Sequence, residues 1–282
     1  MTLVRSAIAR LTKWGLRSTF TYAFGRFRAV RIARRWLRQR SDHVRISAPQ
    51  EDPVLDLPAD ATHQLQSTGI ASGLTLSPVV LKRLLELETQ ASVSSWGSIK
   101  PPLEGWEAIQ QHNQNSTKPI VMMTPSSLEL NAVIRSIAHS PRLLGLVRNH
   151  LGGGINAIEP ALRWSLVVDA DDAWRESQAQ TVTFHFDVHD LDFVYVFFYL
   201  TSCDRDSGAH ETILGSHADK PLKFLLGSAR QTEPALLTHY ARDAFHILEG
   251  PAGYGFIEDT SSFHRARVPV SSPRLVLSIR YS

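Results

Sequence analysis

The chain has 282 residues, 43% of them hydrophobic, an ordinary make-up for a soluble globular protein with one main domain. Its single cysteine, Cys203, excludes an intrachain disulfide and fits a reducing, cytoplasmic compartment. The net charge of +3 hides a division: residues 1–46 hold 12 Lys or Arg against Asp42 alone, a net of +11, while the rest carries a net of −8. A whole-chain reading as a basic, nucleic-acid-binding protein is therefore disfavoured.

In chain order, residues 1–46 form a basic segment that is amphipathic in pieces. Val4, Ile8 and Leu11 fall at helical spacing opposite Arg10, Lys13 and Arg17, with Gly15 weakening the helix. Phe20, Phe24 and Phe27 form a second stripe, and Arg31, Arg34, Arg35 and Arg38 crowd the next turns. Such a segment fits best an anionic membrane surface, which would make the protein peripheral on a membrane. A transit peptide, a basic arm for nucleic acid and a helix packed on the acidic remainder stay open beside it. No apolar stretch long enough for a signal peptide follows the first charges.

Residues 47–66 read as a linker, most clearly over 47–62 with its three prolines, and a domain spanning 67–282 follows. Ser77-Pro78 and Ser140-Pro141 each open a helix, the second ending near Gly152. Strands are expected from Leu162–Val168 onward, including Phe193–Leu200, with turns at Gly208, Gly215 and Gly250–Gly253. The uncharged run Phe193–Cys203 is too short to cross a bilayer as a helix and reads as a buried strand. Helices first and short strands afterwards imply an α+β fold whose catalytic part is a β-sandwich.

The chemistry concentrates in Thr183-Phe184-His185-Phe186-Asp187. On a strand, His185 and Asp187 share a face because side chains alternate. With the distant His264 they make a 2-His-1-carboxylate set, which holds one face of a non-haem Fe(II) and leaves positions open. Arg274, ten residues later at the start of a strand, suits a bidentate grip on a carboxylate cosubstrate. His-x-Asp alone is weak in a chain with 12 histidines, and His189, His210, His217, His239 and His246 also lie between the candidate ligands.

Several further motifs occur in a fixed order: the apolar run Phe193–Leu200, the acidic turn Asp204–Gly208, Gly215-Ser216-His217, Gly253–Asp259, His264-Arg265, and Arg274 followed by Ser278. From about residue 183 onward this pattern resembles the phytanoyl-CoA dioxygenase family of Fe(II)/2-oxoglutarate oxygenases, with weaker likeness in 74–88 and 134–165. Leu214 departs from it, standing where the family usually has proline. The resemblance implies a double-stranded β-helix, a jelly-roll relative with flanking helices. It implies Fe(II) on His185, Asp187 and His264, and 2-oxoglutarate on Arg274, with Ser278 on the same strand face adding a hydrogen bond. Halogenating relatives replace the carboxylate ligand by a small residue, so Asp187 favours hydroxylation with O2, releasing succinate and CO2.

Smaller expectations attach to His189 (pocket rim), His217 (its own turn), Tyr199 (pocket wall or core) and Asp259 (support for the His264 loop). The substrate is expected to be a small or lipid-like molecule. The alternatives are a non-catalytic jelly-roll binding protein tied to membranes through its basic N-terminus and, more weakly, the same triad holding zinc.

Overall fold

The computed structural model describes residues 20–38 and 51–282. Its frame is an eight-stranded antiparallel sheet of β1 (Val54–Asp56), β2 (Ile70–Leu76), β3 (Ser92–Trp96), β4 (Met122–Ser126), β5 (Ile158–Ser165), β6 (Val194–Tyr199), β9 (Tyr254–Glu258) and β11 (Arg274–Tyr281). Across it the order is β1-β2-β9-β6-β11-β5-β4-β3. A second sheet, β10-β7-β8, comprises β7 (His210–Ile213), β8 (Phe245–Leu248) and β10 (His264–Ala266).

Strict alternation along β11 shows how the sequence builds both sides of the large sheet. Leu275, Leu277, Ile279 and Tyr281 are fully buried on one face. There they pack with helices α2 (Ala61–Thr68), α3 (Pro78–Thr89), α5 (Leu128–Ala138) and α6 (Pro141–Leu151). Each buried aliphatic side chain contributes roughly 1.5–3 kcal/mol relative to exposure. Arg274, Val276 and Ser278 point the other way and line a cavity in front of the small sheet. The remaining helices of the body include α4 (Trp106–Asn115) and α7 (Asp172–Ser177).

Both Ser-Pro signals open helices. Ser140 Oγ accepts from the Leu143 amide, and Pro78 and Pro141 occupy first-turn positions where no amide hydrogen is needed. Gly152 ends α6 in the left-handed region, as expected. Three expectations need correction. The stretch read as a linker, 47–66, is from residue 51 onward part of the body: β1 joins the large sheet, and Val54 and Leu65 are fully buried. Four strands also precede residue 158, interleaved with helices. They were illegible because β2 holds Gly73 and β4 holds Pro125, so partners rather than local propensity make them strands.

The third correction concerns the basic segment. Helix α1 (Arg28–Leu37) turns Arg31 and Arg35 toward the body, while Arg28 stays exposed. Arg31 Nη1 lies 2.8 and 2.9 Å from the two carboxylate oxygens of Asp259, while its Nη2 donates to the His217 carbonyl at 2.8 Å. Arg35 pairs with Asp192 at 2.9 Å, and Arg38 donates to the carbonyls of Gly154 and Asp192. Over these residues the packed-helix alternative holds, because the acidic body neutralises guanidinium groups that a membrane would otherwise attract. The apolar residues Phe20, Phe24, Ile32, Trp36 and Leu37 face outward instead. Expectations placed on residues 1–19 and 39–50 lie outside the described residues. Among the described residues no helix is long and apolar enough to cross a membrane.

Candidate metal centre

Residues 183–187 form no strand, and only His185 pairs as a sheet residue, yet the alternation holds. Phe184 and Phe186 enter an apolar cluster with Ile213, Phe224 and Phe263, leaving His185 and Asp187 on the cavity side. His185 donates its amide to the His264 carbonyl at 2.9 Å, and the His264 amide returns to the His185 carbonyl at 2.8 Å. This reciprocal pair fixes the two residues directly opposite each other, with ring centroids 4.3 Å apart. Asp187 is anchored by its amide to the Thr260 carbonyl at 2.8 Å.

The three side chains converge. Asp187 Oδ1 lies 3.7 Å from His185 Nε2, and Oδ2 lies 3.8 Å from His264 Nε2. One donor atom from each residue falls within 4.8 Å of the others. His185 Nδ1 lies 3.0 Å from the Thr183 carbonyl and His264 Nδ1 lies 3.0 Å from the Ser262 carbonyl. A carbonyl only accepts, so each Nδ1 carries a proton and each ring is held with its Nε2 toward the cavity. Burial, then His185, pushes the His264 imidazole down to about 4, so it is neutral at pH 7. Burial would raise the Asp187 carboxyl, but His189, His264 and His185 outweigh it and hold it below its ordinary range. Two imidazoles with Nε2 turned to the cavity, that of His264 neutral, and one carboxylate make a donor set of the kind a divalent first-row metal takes, and the residues fit such an ion.

The cavity, about 380 Å³, is bounded by Phe197, Tyr199, Phe256 and Val276 on its apolar side. Arg274 lines it and is buried. Its Nη1 donates to the Gly208 carbonyl and its Nη2 lies 3.4 Å from Ser165 Oγ, while Nε has no partner. No carboxylate among the described residues pairs with this guanidinium. A buried cation lacking a counter-ion beside the triad fits a carboxylate ligand. Ser278 shares the face, but its hydroxyl donates to the Ala161 carbonyl at 3.3 Å, a long bond that a carboxylate would have to displace.

His189 sits at the cavity rim, half exposed, its Nδ1 2.8 Å from the Tyr195 hydroxyl. Tyr199 is a core residue with a wall: fully buried, its hydroxyl donates to the Leu248 carbonyl and accepts from the His210 amide, which ties the two sheets together. Asp259 supports the His264 loop, accepting from the Ser261 amide and hydroxyl. His217 bonds the Gln66 carbonyl at 3.2 Å rather than its own turn. Ser216 does more for the site, since its hydroxyl accepts from the amide of Phe263, next to His264. The turn forms with Leu214 in place, its amide donating to the Ala244 carbonyl.

Sequence reasoning missed two groups. His210 stacks on the His264 ring at 5.3 Å, and its Nε2 lies 2.7 Å from Glu258 Oε2. Burial pushes Glu258 up to about 7 and burial, then Arg274, pushes His210 down to about 3, so the imidazole is neutral. Nothing in the sequence separates His210 from surface histidines. Arg163 lay within a recognised strand, but the face it presents was not readable until β5 was paired with β11.

No protein-family model matches the sequence, and no curated protein matches it. Solved structures do. EvdO2 from Micromonospora carbonacea var. aurantiaca superposes with a TM-score of 0.52 at 12% identity, covering 82% of this chain and 93% of that one. HygX from Streptomyces hygroscopicus, solved with nickel, 2-oxoglutarate and hygromycin B bound, gives 0.51 at 12% identity, covering 80% and 87%. At such identities the likeness defines the fold. It is a double-stranded β-helix with flanking helices, as the resemblance implied.

Proposed function

We propose that this chain is an Fe(II)- and 2-oxoglutarate-dependent dioxygenase of the phytanoyl-CoA dioxygenase type, hydroxylating a small organic substrate. The observation that carries the reading is one cavity shared by a converging His185–Asp187–His264 set and a buried guanidinium, Arg274, with no counter-ion among the described residues. His185, Asp187 and His264 would hold the iron, and Arg274 the carboxylate of 2-oxoglutarate remote from the metal. When bound, iron and cosubstrate supply the oxidising chemistry: O2 and 2-oxoglutarate are consumed, succinate and CO2 leave, and the substrate gains an oxygen atom.

The chain's own residues bind, orient and exclude water. The Thr183 and Ser262 carbonyls hold both imidazoles with Nε2 forward, so the donor set is arranged before any ion arrives. Asp187 brings negative charge that offsets part of a divalent ion's charge. Phe197, Tyr199, Phe256 and Val276 keep the inner wall dry. The Tyr195–His189 hydrogen bond fixes the rim through which a substrate enters.

The competing reading, a non-catalytic jelly-roll held at a membrane, draws on the outward apolar residues of α1. One titration decides between them. Fe(II) and 2-oxoglutarate are added anaerobically to wild type, Asp187→Ala and Arg274→Ala while the weak visible charge-transfer band is followed. The band should form with wild type, vanish without Asp187, and need roughly tenfold or more 2-oxoglutarate without Arg274, the loss of a charge-assisted hydrogen bond. Folded, iron-loaded wild type that gives no band would sink the dioxygenase reading.

A further inference from the structure

The cavity wall carries a second guanidinium that the fold leaves unused. Arg163 sits on β5 opposite Val276, one step along the sheet from the Ser165–Arg274 pair, and faces the metal cavity. Trp96 reaches the same place from β3, and the Arg163 Cζ lies 4.4 Å from its ring centroid. The two residues stand at a junction, because both also line an adjoining groove of about 550 Å³.

Arg163 has neither a side-chain hydrogen bond nor an ion pair among the described residues, and its Nε is buried without a partner. Burial lowers its affinity for the proton, with only Tyr195 opposing. A half-buried guanidinium stacked on an indole keeps its in-plane N–H groups for a planar or tetrahedral oxyanion. The surroundings admit one: among the described residues, Asp187 is the only acid lining the metal cavity, and the groove's lining includes Arg135, His139 and Arg163 and no acid. Arg274, on the neighbouring strand, is already assigned to the cosubstrate.

We infer that Arg163, braced on Trp96, anchors a carboxylate or phosphate group of the primary substrate, whose body runs from the groove into the metal cavity. This rests on the oxygenase reading and narrows it: the substrate class is an organic oxyanion rather than a neutral lipid. Two arginines on adjacent strands then hold two different anions, 2-oxoglutarate on Arg274 and substrate on Arg163.

The test uses nickel- and 2-oxoglutarate-loaded protein, with phenyl phosphate and phenylacetate as probes and benzyl alcohol as the neutral control, followed by calorimetry. Wild type should bind at least one anionic probe and bind benzyl alcohol much more weakly. Arg163→Gln should weaken that anionic probe by roughly tenfold or more, the loss of one charge-assisted contact, and Arg163→Lys should fall between. Arg163 makes no side-chain hydrogen bond among the described residues, so neither variant orphans a hydrogen-bond partner; both should fold, with Arg163→Gln losing only the contact with the Trp96 ring. Equal anion binding in Arg163→Gln, no anion binding by wild type, or equal binding of benzyl alcohol would each overturn the inference. A loss confined to 2-oxoglutarate affinity would reassign Arg163 to the cosubstrate and overturn it too. Wild type that fails to bind 2-oxoglutarate would instead sink the oxygenase reading, while the probe comparison between wild type and Arg163→Gln stays readable.

Discussion

Arg31→Ala is the perturbation with the clearest structural magnitude. Its guanidinium and the Asp259 carboxylate are 5% and 2% exposed, 2.8 Å apart, and tie α1 to the loop behind His264. Removing one partner of a buried pair costs about 3–5 kcal/mol, because the other charge remains buried. Arg35 at 3.4 Å and His150 at 3.5 Å from Asp259 Oδ2 stay in place, which puts the expectation near the lower end, about 3 kcal/mol. At about 2–4 °C per kcal/mol that is a fall in Tm of about 6–12 °C. Burial alone would raise the Asp259 carboxyl, but Arg31, then His150 and Arg35, hold it well below its ordinary value. Its contribution is therefore complete above the unfolded carboxylate pKa of about 3.9 and is lost as pH falls beneath it. The gap between wild type and Arg31→Ala should be flat from about pH 5 to 8 and close below about pH 4. The assay is differential scanning fluorimetry across pH, with the exposed Arg28→Ala as control, expected within about 0.5 kcal/mol of wild type. Metal affinity supplies an independent readout and should drop roughly tenfold, because Asp259 orders the loop whose Ser262 carbonyl orients His264. Arg31→Ala melting within about 1 °C of wild type, or a gap that widens toward acid, would refute the reasoning.

Two further outcomes follow from the site's geometry. His185→Ala should abolish Fe(II) binding, whereas His189→Ala should change it by less than about tenfold, since His189 is a rim residue outside the converging set; equal losses by equilibrium dialysis would move His189 into it. Gly69 ends α2 at φ +85°, and a Cβ there would lie 2.6 Å from both His217 Nδ1 and Ser262 Oγ. Gly69→Ala should therefore lose about 1–3 kcal/mol in urea denaturation and weaken metal binding through Ser262; an unchanged midpoint would show that the loop yields freely.

How far the site was legible depended on how local its signals are. His185 and Asp187 are two residues apart, so alternation put them on one face even though residues 183–187 turned out to pair at His185 alone. Arg274 and Ser278 were placed by the same alternation, and the structure brings Arg274 to the cavity without a carboxylate partner. It gives Ser278 a backbone partner that composition could not reveal. Leu162–Val168 was read as a strand, yet Arg163 stayed invisible because its significance lies in having no partner, a property of the whole neighbourhood. The sign of the basic segment was likewise undetermined. Arginines at helical spacing serve a lipid surface or a buried carboxylate equally well, and only the positions of Asp192 and Asp259, far along the chain, decide between them.

The sequence by itself determined the strand-rich character of the C-terminal part, the Ser-Pro helix starts and the candidate ligands, because period-two alternation, first-turn prolines and motif order act within a few residues. Only the tertiary structure decided that residues 51–66 belong to the body, that α1 turns Arg31 and Arg35 inward, and that His185 and His264 face each other across a reciprocal backbone pair. Those outcomes rest on contacts between residues tens to hundreds of positions apart, where burial and the pairing of buried charges outweigh local preference.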